Sequence, residues 1–207
     1  MKGYVSVIDK RTQYLKDLLI ENGFEIVDNQ NNLDFYFITD EEKPDCPYVF
    51  TLNDRRGTYV MNDNEYFRHL NNALTVAAFF RYLSTFFYHK KILVLGYGDL
   101  GKQLVGQLER DNLITIANRN YKDLSIIKSK YRHQDIHLLT GRFDYIINTV
   151  PSLKIDYSDV KYKKIYDLAQ TIEMKNYISL RNLPNRFFPY ESALLMIDYI
   201  KDVMKNV

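Results

Sequence analysis

The sequence predicts an α/β fold in which a parallel sheet is preceded by a small N-terminal α/β layer and a connecting buried helix. The first observation is at residues 91–120, where an apolar run, a glycine-rich turn, a helical pattern and a second apolar run follow one another. The second is that apolar runs recur after polar segments, at 143–148 and 165–169. Short buried strands that alternate with helices are typical of a parallel sheet of the Rossmann type.

The turn after the first of these strands has the sequence Gly96-Tyr97-Gly98-Asp99-Leu100-Gly101. In the GxGxxG pattern the first glycine permits a tight turn, the second lets a pyrophosphate approach the backbone, and the third lets helix and strand pack closely. The following helix N-terminus offers unpaired N–H groups and the positive end of its dipole. Because the pattern lies between a strand and a helix, all six residues are predicted to bind a dinucleotide. The alternative is a chance glycine turn.

The end of the second strand indicates which dinucleotide is bound. NAD-binding sites carry an acidic residue about 20 residues after the first glycine, where it binds the ribose 2′-hydroxyl. This chain instead has Asn118, Arg119 and Asn120. The Arg119 guanidinium can stack on adenine and pair with a 2′-phosphate. We therefore expect these three residues to contact the cofactor and favour NADP over NAD, with a solvated loop cation as the alternative for Arg119.

The ends of two later strands supply the other candidates, because open α/β sheets bind ligands outside the carboxyl ends of their strands. Asn148, Thr149, Val150 and Pro151 end one strand and are predicted to contact the ribose and nicotinamide of the cofactor, with a capped turn as the alternative. Asp167 ends the next strand and is a candidate proton shuttle. The alternative for Asp167 is a helix cap or a structural hydrogen-bond acceptor.

The N-terminal layer supplies one candidate substrate contact. Residues 4–8 read as a strand, a polar turn from Asp9 leads into a helix, and Gly23 stands where a helix C-cap belongs. Arg11 begins that helix and is the candidate for binding a substrate carboxylate, because a guanidinium binds one bidentately. This role requires the two sheets to face the same cleft. The alternative is an ordinary cation at a helix start.

These patterns divide the chain into four segments. They are a small N-terminal substrate-side domain at 1–60, connecting helices at 61–90, a dinucleotide-binding Rossmann domain at 91–188, and at 189–207 a C-terminal helix that packs back on the N-terminal part. In the connector we expect a short helix at 63–70, a break at Asn71 and Asn72, and a helix at 73–88 that is apolar nearly all round and therefore buried. Residues 183–189 are expected to form a rigid loop.

Composition excludes several classes of protein. The 207 residues are 46% hydrophobic and carry a net charge of +2, too small to favour nucleic acid or a membrane as partner. Cys46 is the only cysteine, so the chain forms no internal disulfide. His133 and His137 lack a further ligand partner in the pattern, so no metal site is predicted. Without an apolar leader or a long apolar run, we expect a cytoplasmic protein.

Several segments resemble the A-subunit of dipicolinate synthase, which belongs to a two-domain Rossmann family related to the D-2-hydroxyacid dehydrogenases. They are YVMNDNEYFRHLNNALTVAAFFRYL, LVLGYGDLGKQL, FDYIINTVPSL, KIYDLA and NLPNRFFPYESALLMIDYI. The resemblance covers residues 58–205. It implies NAD(P) binding at the glycine turn, oxidation of dihydrodipicolinate to dipicolinate, and a flavoprotein partner. The N-terminal part is shorter than the family's, and the family's glycine-rich loop near the end is here Leu183-Pro184-Asn185-Arg186.

Three functions stay open at this point. The first is an NADP-dependent oxidoreductase, or the nucleotide-binding subunit of one, acting on a small carboxylate-bearing substrate. The second is a non-catalytic dinucleotide-binding module that regulates or assembles, because no histidine follows Pro151 where the dehydrogenase relatives carry a catalytic imidazole. The third is an NADP enzyme of the shikimate-dehydrogenase type, whose second strand also ends in Asn-Arg. Dimers are common in this class of protein, so a homodimer is a candidate assembly, but the sequence does not give the oligomeric state.

Overall fold

The chain forms two compact units, each built around a parallel sheet. The computed structural model describes residues 1–28, 32–38, 46–52, 59–119, 130–151, 154–169 and 176–205. One unit consists of Met1–Leu74 with Leu183–Val207, and the other of Thr75–Asn182. Helices flank both sheets, so the α/β fold class is confirmed.

The sheet of the first unit has the strand order of a flavodoxin-like fold. Its strands are β1 (Lys2–Val5), β2 (Glu25–Ile26), β3 (Phe35–Phe37), β4 (Tyr48–Thr51) and β5 (Tyr59–Val60). They lie in the order β2-β1-β3-β4-β5, and every pairing is parallel. This is one of the two common doubly wound orders, and it places the carboxyl ends of all five strands at one edge.

Two helices cover this sheet, α1 (Lys10–Glu21) and α5 (Pro189–Lys205), and they pack on each other. Asp9 starts α1 with a capping box: its carboxylate accepts from the Thr12 amide at 2.8 Å, and the Thr12 hydroxyl accepts from the Asp9 amide at 3.1 Å. Gly23 follows the helix with φ +84°, a left-handed conformation that favours glycine. The buried face of α5 carries the residues its spacing predicts, namely Ala193, Met196, Ile197, Ile200 and Met204.

The connecting segment differs from its prediction. A short 3₁₀-helix at Met61–Asp63 leads into one continuous helix, α2 (Glu65–Leu83), without a break at Asn71 and Asn72. Asparagine lowers helix propensity by only about 0.7 kcal/mol relative to alanine, which the packing of the flanking turns overcomes. The helix is not buried all round either, because Ala73, Ala77 and Arg81, spaced four residues apart, are exposed. Phe86, beyond the end of the helix, is 64% exposed.

The predicted rigid loop at 183–189 is also wrong, because its first part is the short helix α4 (Leu183–Phe187). Leu183 and Pro184 are buried in it, and proline is tolerated in a first helical turn because its missing N–H would have no partner there. By contacts α4 belongs with the first unit, so the second unit ends at Asn182.

The second unit contains a six-stranded parallel sheet within the described residues. In chain order its elements are β6 (Lys91–Leu95), α3 (Asp99–Leu108), β7 (Leu113–Asn118), β8 (Arg132–Asp135), β9 (Gly141–Arg142), β10 (Tyr145–Asn148), β11 (Val160–Lys161), β12 (Lys164–Asp167) and β13 (Tyr177–Ser179). The sheet order is β13-β12-β10-β6-β7-β8, while β9 and β11 pair separately. Numbered by appearance, the six strands follow the Rossmann order 3-2-1-4-5-6, read from β8.

The carboxyl ends of the central strands define where a ligand can bind. Leu95 of β6 is the register partner of Ala117 on one side and of Asn148 on the other. The chain winds outward from β6 in both directions, so a crevice opens at this switch point beyond the strand ends. In the part of the chain that is described, no helix is long and apolar enough to span a membrane.

Candidate dinucleotide-binding site

The first glycine of the turn adopts the tight-turn conformation that the pattern predicts. Gly96 follows β6 with φ +89°, and its amide donates to the Ala117 carbonyl of β7 at 2.8 Å. A Cβ at this position would lie 2.7 Å from Oγ1 of Thr149 and 2.8 Å from Cγ2 of Val150. Both the backbone angle and the close approach of the strand end at β10 therefore require glycine.

The other two glycines differ sharply in their surroundings. A Cβ at Gly101, in the first turn of α3, would lie 2.5 Å from the Gly96 carbonyl oxygen, so helix and turn are in backbone contact. A Cβ at Gly98 would meet nothing within 4 Å. Gly98 is the N-cap of α3, and no side chain caps this helix. Space for a ligand is therefore left at the uncapped N-terminus of α3, and the first N–H groups of a helix are those that bind an anionic diphosphate.

Three further residues of the turn frame this opening. Tyr97 is half-buried, and burial raises its pKa, with the negative charge of Glu109 adding to the shift. Asp99 accepts from the Gln103 side chain at 2.9 Å, so its carboxylate is tied to the helix one turn further on. Leu100 is half-buried in the first turn of α3.

The residues expected to choose the cofactor follow β7. Asn118 is the last residue of the strand and is half-buried, and its carbonyl accepts from the Ile136 amide at 3.4 Å. Arg119 is exposed, so its guanidinium stands in solvent beside the strand end. Asn120 lies outside the described residues. The placement of Arg119 at the carboxyl edge agrees with a cofactor contact, and its role stays a prediction.

The loop after β10 is held against β6 by Thr149. Its amide and its hydroxyl both donate to the Leu95 carbonyl, at 3.0 and 2.7 Å. Asn148 is fully buried, and its side chain accepts from the Val150 amide at 3.0 Å. Pro151 is exposed at the following turn. The structure therefore brings Asn148, Thr149 and Val150 together with the glycine turn.

Asp167 is the centre of a buried polar network. Its carboxylate accepts from the Asn148 amide group at 3.0 Å, from the Ala169 backbone amide at 2.8 Å and from the Tyr177 hydroxyl. The side chain has no exposed surface. Three donors satisfy a buried carboxylate well, which fits the structural-acceptor alternative for Asp167. A proton shuttle at this position would need one of these donors to leave.

The sequence did not indicate the tyrosines of this network. Tyr177 stands two residues before Ser179, the register partner of Asp167, so its side chain lies on the same face of the sheet as the carboxylate. Tyr157 is 5% exposed, and its hydroxyl has no hydrogen-bond partner among the described residues. Burial raises the pKa of Tyr157, and the charge of Asp167 raises it further.

Arg11 lies in the first unit, at the start of α1, whereas the glycine turn lies in the second. Its side chain is buried, and its Nη2 lies 3.6 Å from the Asp9 carboxylate. Nε has no partner among the described residues. Burial lowers the pKa of Arg11, and Asp9 opposes this shift. A buried guanidinium with spare donors can accept an anion, so the candidate role of Arg11 stays a prediction.

Within the described residues, no group of three His, Cys, Asp and Glu side chains is placed to hold a metal ion. Among the groups that the structure describes at the carboxyl edge are backbone N–H groups, the Asn148 amide and the Thr149 hydroxyl. Such groups bind a diphosphate and a sugar directly.

Comparison with known proteins identifies the fold. No family model matches the chain, and no curated protein matches it. The A-subunit of dipicolinate synthase from Bacillus subtilis aligns with a TM-score of 0.78 at 14% identity, over 100% of this chain and 96% of its own. The A-subunit from Bacillus halodurans aligns with 0.71 at 13%, over 98% and 97%.

The chain has the fold of the dipicolinate synthase A-subunit. A more distant likeness, with a TM-score of 0.51 at 15% identity, covers 81% of this chain and 73% of apo D-lactate dehydrogenase from Escherichia coli. The sequence resemblance to the dipicolinate synthase A-subunit, with its dehydrogenase relatives, is thus confirmed as a likeness of fold.

Two alanine substitutions in α3 test whether stability depends on the close contact at Gly101 or on replacing any glycine of the helix. Gly101→Ala places a methyl group against the Gly96 backbone carbonyl and is expected to destabilise the protein by about 1–3 kcal/mol. Gly106→Ala, in the same helix with open space around the added carbon, is expected to be neutral or to stabilise by up to about 1 kcal/mol. Urea denaturation measures both. Equal shifts in the two variants would contradict the close contact at Gly101.

Two phenylalanine substitutions test the network around Asp167. Tyr177→Phe removes a donor to a buried carboxylate and is expected to cost about 1–3 kcal/mol. Tyr157→Phe removes a buried hydroxyl without a described partner and is expected to be neutral or stabilising. Urea denaturation at neutral pH compares them. A larger loss for Tyr157→Phe would show that its hydroxyl has a partner.

Tyr157→Phe is also expected to change how the stability of the protein depends on alkaline pH. Because burial raises the pKa of Tyr157 in the folded state, the unfolded chain releases this proton first, and stability falls as the pH rises above about 10. Tyr157→Phe is expected to lose less stability than the wild type over that range. A parallel decline would place the titrating group elsewhere.

Proposed function

We propose that this chain is an NADP(H)-binding oxidoreductase, or the nucleotide-binding subunit of one, that acts on a small carboxylate-bearing substrate. The observation that carries the proposal is the open space at Gly98, in front of the uncapped N-terminus of α3. This space lies at the switch point of a sheet with the Rossmann strand order. A diphosphate placed there meets backbone N–H groups and the positive end of the helix dipole.

Different residues of this chain bind different parts of the proposed cofactor. The glycine turn holds the diphosphate, and Arg119 binds the 2′-phosphate on the adenosine side, since Asn118 and Arg119 stand where an NAD-binding site has a carboxylate for the ribose 2′-hydroxyl. Asn148, Thr149 and Val150 line the path of the nicotinamide half. The bound nicotinamide supplies hydride transfer. Asp167 acts by fixing the Asn148 side chain, whose oxygen in turn holds the Val150 amide.

The proposed substrate is a small carboxylate, and Arg11 is its proposed anchor. The buried Nε of Arg11 has no described partner, and the single neighbouring carboxylate, Asp9, approaches only to 3.6 Å. A carboxylate ligand would satisfy the guanidinium with paired hydrogen bonds. The likeness in fold to the dipicolinate synthase A-subunit supports dihydrodipicolinate as the first substrate to test, together with a flavoprotein partner.

A non-catalytic dinucleotide-binding module is the second candidate function. It is favoured by Asp167, whose carboxylate is engaged by three donors. The sequence also places its four histidines at 69, 89, 133 and 137, so none follows Pro151 to serve as a general acid or base. In this function the chain would bind the cofactor and assemble with partners, a homodimer included.

A titration of NADPH and NADH against the full chain tests the cofactor site. Gly98→Ala fills the diphosphate space without backbone strain, since φ is −73°, and is expected to weaken both cofactors about tenfold or more. Arg119→Ala is expected to weaken NADPH about 10- to 100-fold and to leave NADH unchanged, because a charge-assisted contact contributes about 1.5–3 kcal/mol. Nicotinamide fluorescence reports binding.

Gly106→Ala is the matched control for Gly98→Ala, because both positions have open space and only one faces the proposed site. It should bind both cofactors like the wild type. If NADH binds as well as NADPH and Arg119→Ala changes neither, the phosphate role of Arg119 is wrong. If neither cofactor binds, the proposed function fails at its first step.

An assay of dihydrodipicolinate oxidation with NADP⁺, with and without a flavoprotein partner, tests the substrate. Arg11→Gln is expected to lower kcat/KM by about tenfold or more while NADPH affinity stays unchanged, because the proposed role of the guanidinium is to bind the substrate and not the cofactor. Lys10→Gln, an exposed neighbour, is the matched control and should keep full activity. Cofactor binding without turnover under either condition would favour the binding module.

A further inference from the structure

A groove at the edge of the second sheet opposite the glycine turn is strongly basic. Lys91, Leu113 and Arg132 are the first residues of β6, β7 and β8, so they lie at the amino ends of these strands. They line a cleft of about 920 Å³ together with Arg110, Lys130 and Arg142. A second cleft of about 500 Å³ shares Lys91 and Arg142 with it and adds Lys161 and Lys163. We call this continuous surface the amino-edge groove.

The charge of the groove is not balanced by its own carboxylates. Among the described residues that line it, the only acids are Glu109 and Asp144. Lys130 lies 2.7 Å from Glu109, and Lys163 lies 2.6 Å from Asp144. Hydrogen bonds from these lysines lower the pKa of both carboxyl groups, so both are ionised at neutral pH. Each acid is therefore already paired with a lysine.

The remaining cations of the groove have no carboxylate left among the described residues that line it. They are Lys91, Arg110, Arg132, Arg142 and Lys161. Their charge exceeds the +2 of the whole chain, so the rest of the molecule is net negative. Positive charge is thus concentrated at this edge, which makes the groove a local attractor for anions although the protein as a whole is nearly neutral.

An exposed leucine lies in the middle of these cations. Leu113 is 66% exposed and is the register partner of Lys91 on the adjacent strand, about 4.8 Å away. Arg132 lies on the other side, on β8, opposite Thr115. This side chain offers an apolar contact to a ligand whose charged groups pair with the flanking cations.

We propose that the amino-edge groove binds an acidic segment of a partner protein, in which an apolar side chain that contacts Leu113 is flanked by carboxylates that pair with Arg110, Arg132 and Arg142. Guanidinium groups bind carboxylates bidentately, which suits three arginines to this ligand. Nucleic acid fits less well, because the aromatic rings of the groove already have contacts within the protein. Phe143 is buried, Tyr162 packs edge-on against Tyr157, and Lys130 lies over the Tyr131 ring.

A fluorescein-labelled peptide with one central leucine between Asp and Glu residues is the probe, and anisotropy with the full chain is the measurement. The wild type is expected to bind it at low salt and to release it as salt is raised. A peptide with Asn and Gln in place of the acids should not bind. In the protein, Arg132→Glu with Arg142→Glu is expected to weaken binding about tenfold or more, and Leu113→Ser about fivefold.

Arg181→Glu with Lys205→Glu is the matched control, since it changes the net charge equally at exposed positions outside the groove. It should bind the peptide like the wild type, and NADPH affinity should be the same in both double variants. Equal losses of peptide affinity in the two double variants would mean that only the net charge of the protein matters, and this would overturn the proposal. No binding of the acidic peptide to the wild type at low salt would overturn it as well. A single-stranded oligonucleotide that binds more tightly, with the same dependence on Arg132 and Arg142, would replace the protein partner by nucleic acid.

Discussion

The site depends on one point of close backbone approach, where β6, α3 and the end of β10 meet. The missing Cβ of Gly101 leaves room for the Gly96 carbonyl, and the missing Cβ of Gly96 leaves room for the Thr149 and Val150 side chains. Thr149 is held there by two hydrogen bonds to the Leu95 carbonyl. This contact fixes the direction in which α3 leaves the sheet. It therefore also fixes where the N-terminal N–H groups of α3 point. The space beside Gly98 stays open, because no described atom lies within 4 Å of where its Cβ would be.

The Asp167 network extends this rigidity to the neighbouring strands. Asn148 and Asp167 are register partners on β10 and β12, and Tyr177 joins them from β13. A buried carboxylate without donors would cost several kcal/mol, so the three donors stabilise the folded chain. The network holds the Asn148 side chain in the orientation that positions Val150. The loop beside the glycine turn is thus preorganised by a group two strands away.

Local signals predicted the parts of the structure that local interactions decide. The strand–turn–helix around Gly96, the helix start after Asp9 and the C-terminal helix α5 each depend on residues within a few positions of one another, and the sequence predicts all three. The continuous helix through Asn71 and the short helix at Leu183 depend on tertiary packing, which overrides propensities of less than about 1 kcal/mol. Tyr177 could not be connected to Asp167, because strand register is not readable from an apolar run.

The amino-edge groove shows why net charge is a poor guide to a protein's partners. The sequence total of +2 suggested no charged partner, yet Lys91, Arg132 and Arg142 line one groove although they are distant in the chain. In a parallel sheet all amino ends share one edge and all carboxyl ends the other, so Lys91 and Arg132, at the starts of β6 and β8, add to a single surface. The same geometry places the glycine turn at one edge and these cations at the opposite edge. The two edges can therefore serve separate ligands, and a substitution at one need not disturb the other.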